Sequence, residues 1–250
     1  MKKINVAIMI GRAGSKGLPG KNTLKILGMP LAAYPILAAK KSKNISRIFV
    51  STDCRKISKI SRDLGAELIK RPKKLASDKA LGEDVFRDAY FSVKNLLRKE
   101  GMRINYVVLL FANAPNVTTN LIDRGITKLT KDKYFDSAVT TSVYNMWSPL
   151  RARKINSKGA LVPFVPFEIF GNPINLNCDR DSQGDVYFAD MGASIVRTKC
   201  LENMEKGMLP QKWMGKKIYP IKSEAGCDID YEWQVPGIEH WLKKNKVNRK

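Results

Sequence analysis

Histidine and cysteine are scarce in this chain of 250 residues, which has one histidine and four cysteines. The single histidine, His240, lies beside Trp241 near the end of the sequence, and we interpret it as structural. A mechanism that needs a histidine base is therefore poorly supported. The cysteines are scattered and form no Cys-x-x-Cys pair, which favours a reducing, cytoplasmic compartment and predicts no zinc site. They are Cys54, Cys178, Cys200 and Cys227.

Long hydrophobic runs are also missing, and no apolar stretch reaches membrane-spanning length. The apolar stretch that follows the N-terminal lysines ends at Gly11, so we interpret it as a first strand and not as a signal peptide. The sequence predicts a protein that has no membrane partner.

Acidic residues are few: 23 Asp and Glu stand against 45 Lys and Arg, a net charge of +22. Such an excess attracts anions, including nucleic acids. However, the lysines are dispersed, aromatic residues do not alternate with them, and no zinc-finger or RRM signature is present. We expect small anionic substrates and no specific nucleic-acid binding. A non-catalytic nucleic-acid-binding or scaffold protein remains the alternative from another class.

The most informative feature is the loop at residues 11–22, which reads Gly-Arg-Ala-Gly-Ser-Lys-Gly-Leu-Pro-Gly-Lys-Asn and follows an apolar run. Its glycines allow the backbone to approach a ligand closely, and its N–H groups can form an anion-binding concavity. The cations Arg12, Lys16 and Lys21 suit phosphate oxygens. The loop therefore predicts polyphosphate binding; a solvated basic turn is the simpler alternative.

Two familiar phosphate-binding motifs do not fit this loop. A nucleotide P-loop needs Ser or Thr after Gly-Lys and a glycine five residues before that Gly. Here Asn22 follows Gly20 and Lys21, and Ser15 occupies the glycine position. The dinucleotide fingerprint Gly-x-Gly-x-x-Gly fails because Ala13 stands at its second glycine.

Strand and helix patterns alternate along the chain, which predicts a single α/β domain over residues 1–250 with a doubly wound, mostly parallel sheet. The predicted strands cover residues 4–10, 47–51, 66–69, 106–111, 137–141, 192–196 and 217–221. The predicted helices cover residues 30–41, with a kink at Pro35, and 83–99, 119–129, 199–206 and 231–243, and one that is capped by Asp53 and ends at Leu64.

Residues 143–190 interrupt this alternation with several prolines and apolar clusters. The segment is too apolar for a disordered linker. Its aromatic residues Phe164, Phe167 and Phe170 need a partner surface. We therefore predict a two-fold homodimer built largely from this excursion.

Two carboxylates near the C-terminus, Asp228 and Asp230, lie two residues apart. On an extended segment this spacing directs both side chains to one side. Two hard oxygen ligands together with phosphate oxygens suit Mg²⁺. The alternative is a turn in which Asp230 caps the last helix.

Four stretches together resemble the acylneuraminate cytidylyltransferases, or CMP-sialic acid synthetases. They are the glycine-rich loop, Val-Ser-Thr-Asp at residues 50–53, Arg-Pro-Lys-Lys-Leu-Ala-Ser-Asp at residues 71–78, and Asp-Ile-Asp at residues 228–230. The resemblance extends from about residue 4 to residue 235. It implies a fold like that of the nucleotide-diphospho-sugar transferases and transfer of CMP from CTP to the anomeric hydroxyl of a sialic acid-like nonulosonic acid. Pyrophosphate would be released and Mg²⁺ would be the cofactor.

The resemblance also implies roles for individual residues. Catalysis would rest on Lys21, Arg12 and Asp230. The nucleotide would be bound by Arg12, Ser15, Lys16, Lys21, Asn22, Arg71 and Asp78. The acceptor sugar would be bound by Asn113 and Arg180 and by part of the 143–190 excursion, which would also carry the dimer contact. The metal would be bound by Asp228 and Asp230.

The sequence departs from the family pattern at Phe111-Ala-Asn-Ala-Pro, where the family usually has Gln-Pro-Thr-Ser-Pro. Phe111 replaces the glutamine that would meet the acceptor, and Asn113 is the candidate replacement amide. In addition, Trp233 stands where a third acidic residue is common. A related nucleotidyltransferase for KDO or another acceptor therefore remains an alternative, although the Ser15-Lys16-Gly17 spelling favours the sialic acid enzymes.

Overall fold

The structure, a computed structural model, describes residues 1–14, 17–77, 79–179, 184–226 and 228–247. The strands are β1 (Lys2–Gly11), β2 (Lys25–Ile26), β3 (Met29–Pro30), β4 (Arg47–Thr52), β5 (Glu67–Lys70), β6 (Met102–Phe111), β7 (Ser137–Val143), β8 (Arg153–Ile155), β9 (Leu161–Pro163), β10 (Tyr187–Arg197) and β11 (Ile218–Lys222). The helices are α1 (Ala33–Lys40), α2 (Arg55–Asp63), α3 (Gly82–Lys99), α4 (Thr119–Lys131), α5 (Thr198–Glu202) and α6 (Val235–Lys244).

The central sheet has seven strands in the order β11-β7-β10-β6-β1-β4-β5. Strand β10 runs antiparallel to both of its neighbours, and the other pairings are parallel. The predicted doubly wound, mostly parallel sheet is therefore confirmed. In the register, Gly11 pairs with Thr52 and Ile10 with Phe111. The loops that follow β1, β4 and β6 consequently emerge together at one edge of the sheet.

Both faces of the sheet are covered, because side chains alternate along each strand. In β1, Ala7 and Met9 pack in one core cluster together with residues of α1, α2 and α4. Val6, Ile8 and Ile10 pack in a second cluster with residues of α3 and α5. Burial on both faces explains the almost continuous apolar sequence of the central strands.

Two helices begin later than the sequence pattern predicts. Met29 and Pro30 form β3, which pairs with β2, so α1 begins at Ala33 and not at Pro30. Pro35 is then the third residue of α1, where a backbone N–H has no partner within the helix, so the proline costs no hydrogen bond. Helix α6 begins at Val235 after a short 3-10 turn, with Pro236 in its first turn.

Helix α6 packs outside the sheet against the loop that leads into α1. The shared cluster contains Ile26, Leu31, Tyr34, Ile229, Ile238, Trp241 and Leu242. Ile229, which is fully buried there, lies between the two C-terminal aspartates. The packing of α6 therefore fixes the position of the Asp-Ile-Asp segment.

Residues 144–179 leave the central sheet and form the β8–β9 hairpin and short 3-10 turns. The predicted excursion of residues 143–190 is shorter at both ends, because Val143 still belongs to β7 and pairs with Tyr187, where β10 begins. Several large apolar side chains of this excursion are exposed, among them Ile155, Leu161, Phe164, Ile169 and Ile174. No helix in the described part of the chain has the length and apolar composition needed to cross a membrane. Cys54, Cys178 and Cys200 are free thiols. The cytoplasmic location stays a prediction.

Candidate active site

A cavity of about 410 Å³ opens at the carboxyl ends of β1 and β6. The predicted residues that line it are Arg12, Lys21, Asn22, Arg71, Asn113 and Asp230. Ligands of open α/β sheets bind at this edge. The predicted residues Ser15, Lys16, Asp78 and Arg180 lie outside the described residues.

The glycine-rich loop is held by polar contacts at its base. Asp53 Oδ1 accepts a hydrogen bond from the backbone N–H of Ala13 at 3.0 Å. The Asn22 side-chain amide donates to the Arg12 carbonyl, also at 3.0 Å. The predicted capping of α2 by Asp53 is wrong: Cys54 is the N-cap, without a side-chain hydrogen bond. The carboxylate of Asp53 supports the loop instead.

The loop also lies directly against the C-terminal segment at Gly17. A Cβ atom at this position would lie 2.5 Å from the backbone oxygen of Asp230. Since this neighbour is backbone and cannot rotate away, only glycine permits the approach. This contact brings the first and last motifs of the sequence to the same cavity.

Arg71 places a guanidinium group at the cavity, and one of its nitrogen atoms has no hydrogen-bond partner. Its Nε donates to the Leu75 carbonyl at 2.9 Å, whereas Nη1 is buried and has no hydrogen-bond partner. Burial lowers the pKa of Arg71; the carboxylate of Asp53 opposes this shift and the charge of Arg12 adds to it. A buried unsatisfied donor beside a second guanidinium suits an anionic ligand.

The two C-terminal aspartates lie on an extended segment that Asn113 holds from one side. The Ile229 N–H donates to the Asn113 carbonyl at 2.8 Å. The Asn113 side-chain amide donates to Asp228 Oδ2 and to the Ile229 carbonyl, both at 3.2 Å. Burial is the main cause that raises the pKa of Asp228, and the negative charge of Asp230 adds to it. The two carboxylates are thus close enough to interact.

Lys21 forms an ion pair with Asp230 across the cavity. The 3-10 turn that follows Asp230 has Tyr231 as its N-cap, and α6 has Gln234. The alternative in which Asp230 caps the last helix is therefore wrong. Its carboxylate faces the cation of the glycine-rich loop.

The unusual residue Phe111 forms an apolar wall of the cavity. Its ring packs edge-on against Phe86, with centroids 5.1 Å apart, and lies 6.2 Å from the ring of Trp213. The amide of Asn113, predicted to meet the acceptor, is bonded to the aspartate segment. Acceptor binding by Asn113 stays a prediction.

A second cavity of about 490 Å³ borders Asp228. Aromatic side chains form much of its wall, namely Tyr144, Trp147, Phe188 and Trp233. All but Trp233 lie in the 143–190 excursion, to which the resemblance assigns part of the acceptor site, but sequence reasoning did not name Tyr144, Trp147 and Phe188 individually. The available signal was the presence of aromatic residues at both ends of the excursion.

Comparison with known proteins identifies the family of the chain. Residues 6–156 match a protein family described as cytidylyltransferase. The chain belongs to the cytidylyltransferase family. The resemblance inferred from the four motifs is thereby confirmed.

Relatives of this cytidylyltransferase family member differ in length. The post-translational flagellin modification protein B of Campylobacter coli is 44% identical, and the match covers 96% of this chain and 95% of that protein. The CMP-N,N′-diacetyllegionaminic acid synthase of Legionella pneumophila is 32% identical over 92% of this chain and 93% of that protein. The N-acylneuraminate cytidylyltransferase of Oncorhynchus mykiss is 23% identical over 94% of this chain. The chain spans about half of the length of that fish protein.

A solved structure supports the fold of the family. CMP:2-keto-3-deoxy-manno-octonic acid synthetase, complexed with CTP, aligns with a TM-score of 0.64 at 16% identity, over 97% of this chain and 99% of that chain. At this level of identity the likeness concerns the fold alone.

Proposed function

We propose that this protein transfers CMP from CTP to the anomeric hydroxyl of a sialic acid-like nonulosonic acid and releases pyrophosphate. The observation that carries the proposal is the arrangement of two cavities around one aspartate segment. Asp230 borders the 410 Å³ cavity, called the cationic cavity because Arg12, Lys21 and Arg71 line it. Asp228 borders the 490 Å³ cavity, called the aromatic cavity after its wall of aromatic side chains. Nucleotide and acceptor would therefore meet at the two carboxylates.

The cationic cavity suits the triphosphate of CTP. Arg12, Lys21 and Arg71 line it, and Arg71 has a buried donor without a partner. The acceptor hydroxyl attacks the α-phosphorus and gives up its proton to solvent. Its oxygen–phosphorus bond forms, and the bond to the leaving pyrophosphate breaks. The reaction needs no enzyme nucleophile, because positioning and stabilisation of the charge on the phosphate oxygens supply the catalysis. Lys21, released from Asp230, would stabilise this charge.

The donor set of Asp228 and Asp230 fits Mg²⁺. Both residues offer hard carboxylate oxygens. Within the described residues, no group of three or more His, Cys, Asp or Glu side chains could hold a metal. Phosphate oxygens of the nucleotide would then complete the coordination. A bound Mg²⁺ would neutralise charge on the phosphates, and Asn113 would orient Asp228 through its 3.2 Å hydrogen bond.

The aromatic cavity supports a nonulosonic acid as acceptor. Its wall offers apolar surface for the carbon skeleton of a sugar. Relatives that match this chain are named for N-acylneuraminate and for N,N′-diacetyllegionaminic acid. The KDO enzyme shares only the fold at 16% identity.

Pyrophosphate release tests the function. The protein is incubated with Mg²⁺, each of CTP, UTP, ATP and GTP, and a panel containing N-acetylneuraminic acid, N,N′-diacetyllegionaminic acid, pseudaminic acid and KDO. We expect release with CTP and a nonulosonic acid. Release with KDO alone would establish the KDO alternative. No release, together with salt-dependent nucleic-acid binding, would favour the non-catalytic alternative.

The predicted homodimer is part of the proposal. The exposed apolar side chains of the excursion, among them Phe164 and Ile174, would be covered by a second copy. Ultracentrifugation at micromolar concentration is expected to show twice the 28.1 kDa mass of the chain. The double variant Phe164→Ser/Ile174→Ser is expected to shift the protein toward monomer, because it removes apolar surface from the interface.

Phe91→Ser is the matched control, because it removes an exposed aromatic side chain of α3, outside the excursion. This control is expected to remain dimeric. A monomeric wild-type protein would show that the excursion packs only on its own chain.

A further inference from the structure

Asp190 is a buried carboxylate that has no role in the reaction proposed above. It is 5% exposed and lies in β10, where the pairing with β7 shifts register between Ala189 and Ser194. Burial raises its pKa. Within the described ranges no cation pairs with it. Burial of a carboxylate without a cationic partner costs folding free energy, so hydrogen bonds to the carboxylate must offset that cost.

Neutral donors surround this carboxylate. Oδ1 accepts from the backbone N–H of Gly192 at 3.1 Å. Oδ2 accepts from the hydroxyl of Ser142 on β7 at 2.8 Å. The Ser142 hydroxyl oxygen in turn accepts from the backbone N–H of Gly226 at 2.9 Å. A chain of hydrogen bonds thus runs from Asp190 to a residue two positions before Asp228.

Gly226 also lies in direct contact with the carboxylate. A Cβ atom on Gly226 would lie 2.2 Å from Asp190 Oδ2, so only glycine fits there. The Tyr144 hydroxyl donates to the Gly226 carbonyl at 2.9 Å on its other side. Hydrogen bonds therefore hold the chain just before the Asp-Ile-Asp segment as well as at its middle residue, Ile229, which bonds Asn113.

The backbone is strained on both sides of this contact. Met191 has φ of 58° and Ala225 has φ of 48°, in the left-handed region that residues other than glycine avoid. Both residues line the aromatic cavity together with Asp190 and Gly226. Strained turns persist where surrounding contacts enforce them, and here the Asp190 contacts do so.

We propose that Asp190 is a positioning residue, which acts through Ser142 and Gly226 to hold Asp228 and Asp230 toward the nucleotide. The proposal rests on the proposed function, because it assigns the metal and phosphates to those two carboxylates. Asp190 would set the geometry of the segment without touching the reacting atoms.

The experiment uses the full chain and the variants Asp190→Asn, Ser142→Ala and their combination. Asp123→Asn is the matched control, because its carboxylate also accepts from a serine hydroxyl, that of Ser42, but borders neither cavity. Hydrogen–deuterium exchange of the peptide at residues 224–230 measures how rigidly the backbone of this segment is held, independently of activity. Calorimetry measures CTP binding with and without Mg²⁺.

We expect faster exchange of the 224–230 peptide in Asp190→Asn and in Ser142→Ala than in the wild type and the control. The Mg²⁺ concentration for half-maximal activity is expected to rise, and kcat to fall, by about 10- to 100-fold, as for partners that orient metal ligands. KM for CTP is expected to stay within about threefold of the wild-type value, since the cations of the cationic cavity remain in place. The double variant is expected to be no worse than the more affected single variant, because both act through one chain of contacts.

Faster exchange without a change in kcat or in the Mg²⁺ requirement would overturn the proposal. Unchanged exchange in both single variants would overturn it as well. If the wild type transfers no CMP, the proposed function fails by itself. The inference then stands if Mg²⁺-dependent CTP binding weakens in Ser142→Ala, and it falls if that binding is unchanged.

Discussion

Replacing Lys21 with alanine is expected to lower kcat by two or more decades while the fold remains intact. Lys21 lies in the cationic cavity opposite Asp230, and its ammonium would stabilise charge that develops on the phosphate oxygens. Loss of one such contact costs roughly 100- to 1,000-fold in turnover. Steady-state kinetics at saturating CTP and Mg²⁺ measures this loss.

Stability should change little in this variant. In the ion pair the Lys21 side chain is largely buried, at 12% exposed, whereas the Asp230 side chain is 51% exposed. Because water reaches the Asp230 carboxylate, removal of Lys21 leaves no buried unpaired charge, and the lost pair is expected to cost about 1 kcal/mol, the upper end for ion pairs open to solvent. A change in Tm of at most about 3 °C is expected. Lys25→Ala is the matched control, because Lys25 is exposed on β2 and lies outside the cavity. Near-normal turnover of Lys21→Ala would show that this loop does not bind the triphosphate.

The sheet and the location of the cavity were predictable because they depend on local pattern. The runs in β1, β4 and β6 are apolar and short enough for strands, and parallel strands bring their following loops to one edge. The loop residues Arg12, Lys21 and Asn22 therefore had to lie near residues that follow β6. Asp228 and Asp230 could be placed on one side of an extended segment by their spacing alone.

The errors and omissions concern partners distant in sequence. Asp53 is a residue type that often caps helices, but its carboxylate accepts a hydrogen bond from the N–H of Ala13, 40 residues away. The hydrogen bond from Asn113 to Asp228, 115 residues away, was not predicted, and acceptor binding by Asn113 stays a prediction. Nothing in the sequence around Asp190 indicates that it will be buried against Gly226. Such contacts depend on tertiary packing, which local pattern does not specify.

Asp230→Asn is expected to lower kcat by two or more decades, while the affinity for CTP without Mg²⁺ stays within a few-fold of the wild-type value. A metal chiefly stabilises charge as it develops, so the loss of a ligand falls on kcat more than on nucleotide binding. Mg²⁺ is expected to bind only together with CTP, because two carboxylates do not satisfy an ion that takes six oxygens. The positive charge of Lys21 beside Asp230 further weakens metal binding in the free protein.

Calorimetry checks this expectation by titrating Mg²⁺ into the free protein and into its CTP complex. Glu224→Gln is the matched control: its carboxylate is exposed, pairs with Lys244 and lies six residues before Asp230. The control is expected to keep wild-type activity and Mg²⁺ binding. Micromolar Mg²⁺ binding to the nucleotide-free protein would contradict the shared site. An active Asp228→Asn/Asp230→Asn double variant would do so too. Asp53, which supports the glycine-rich loop, would then become the next candidate ligand because it follows β4 at the same edge of the sheet.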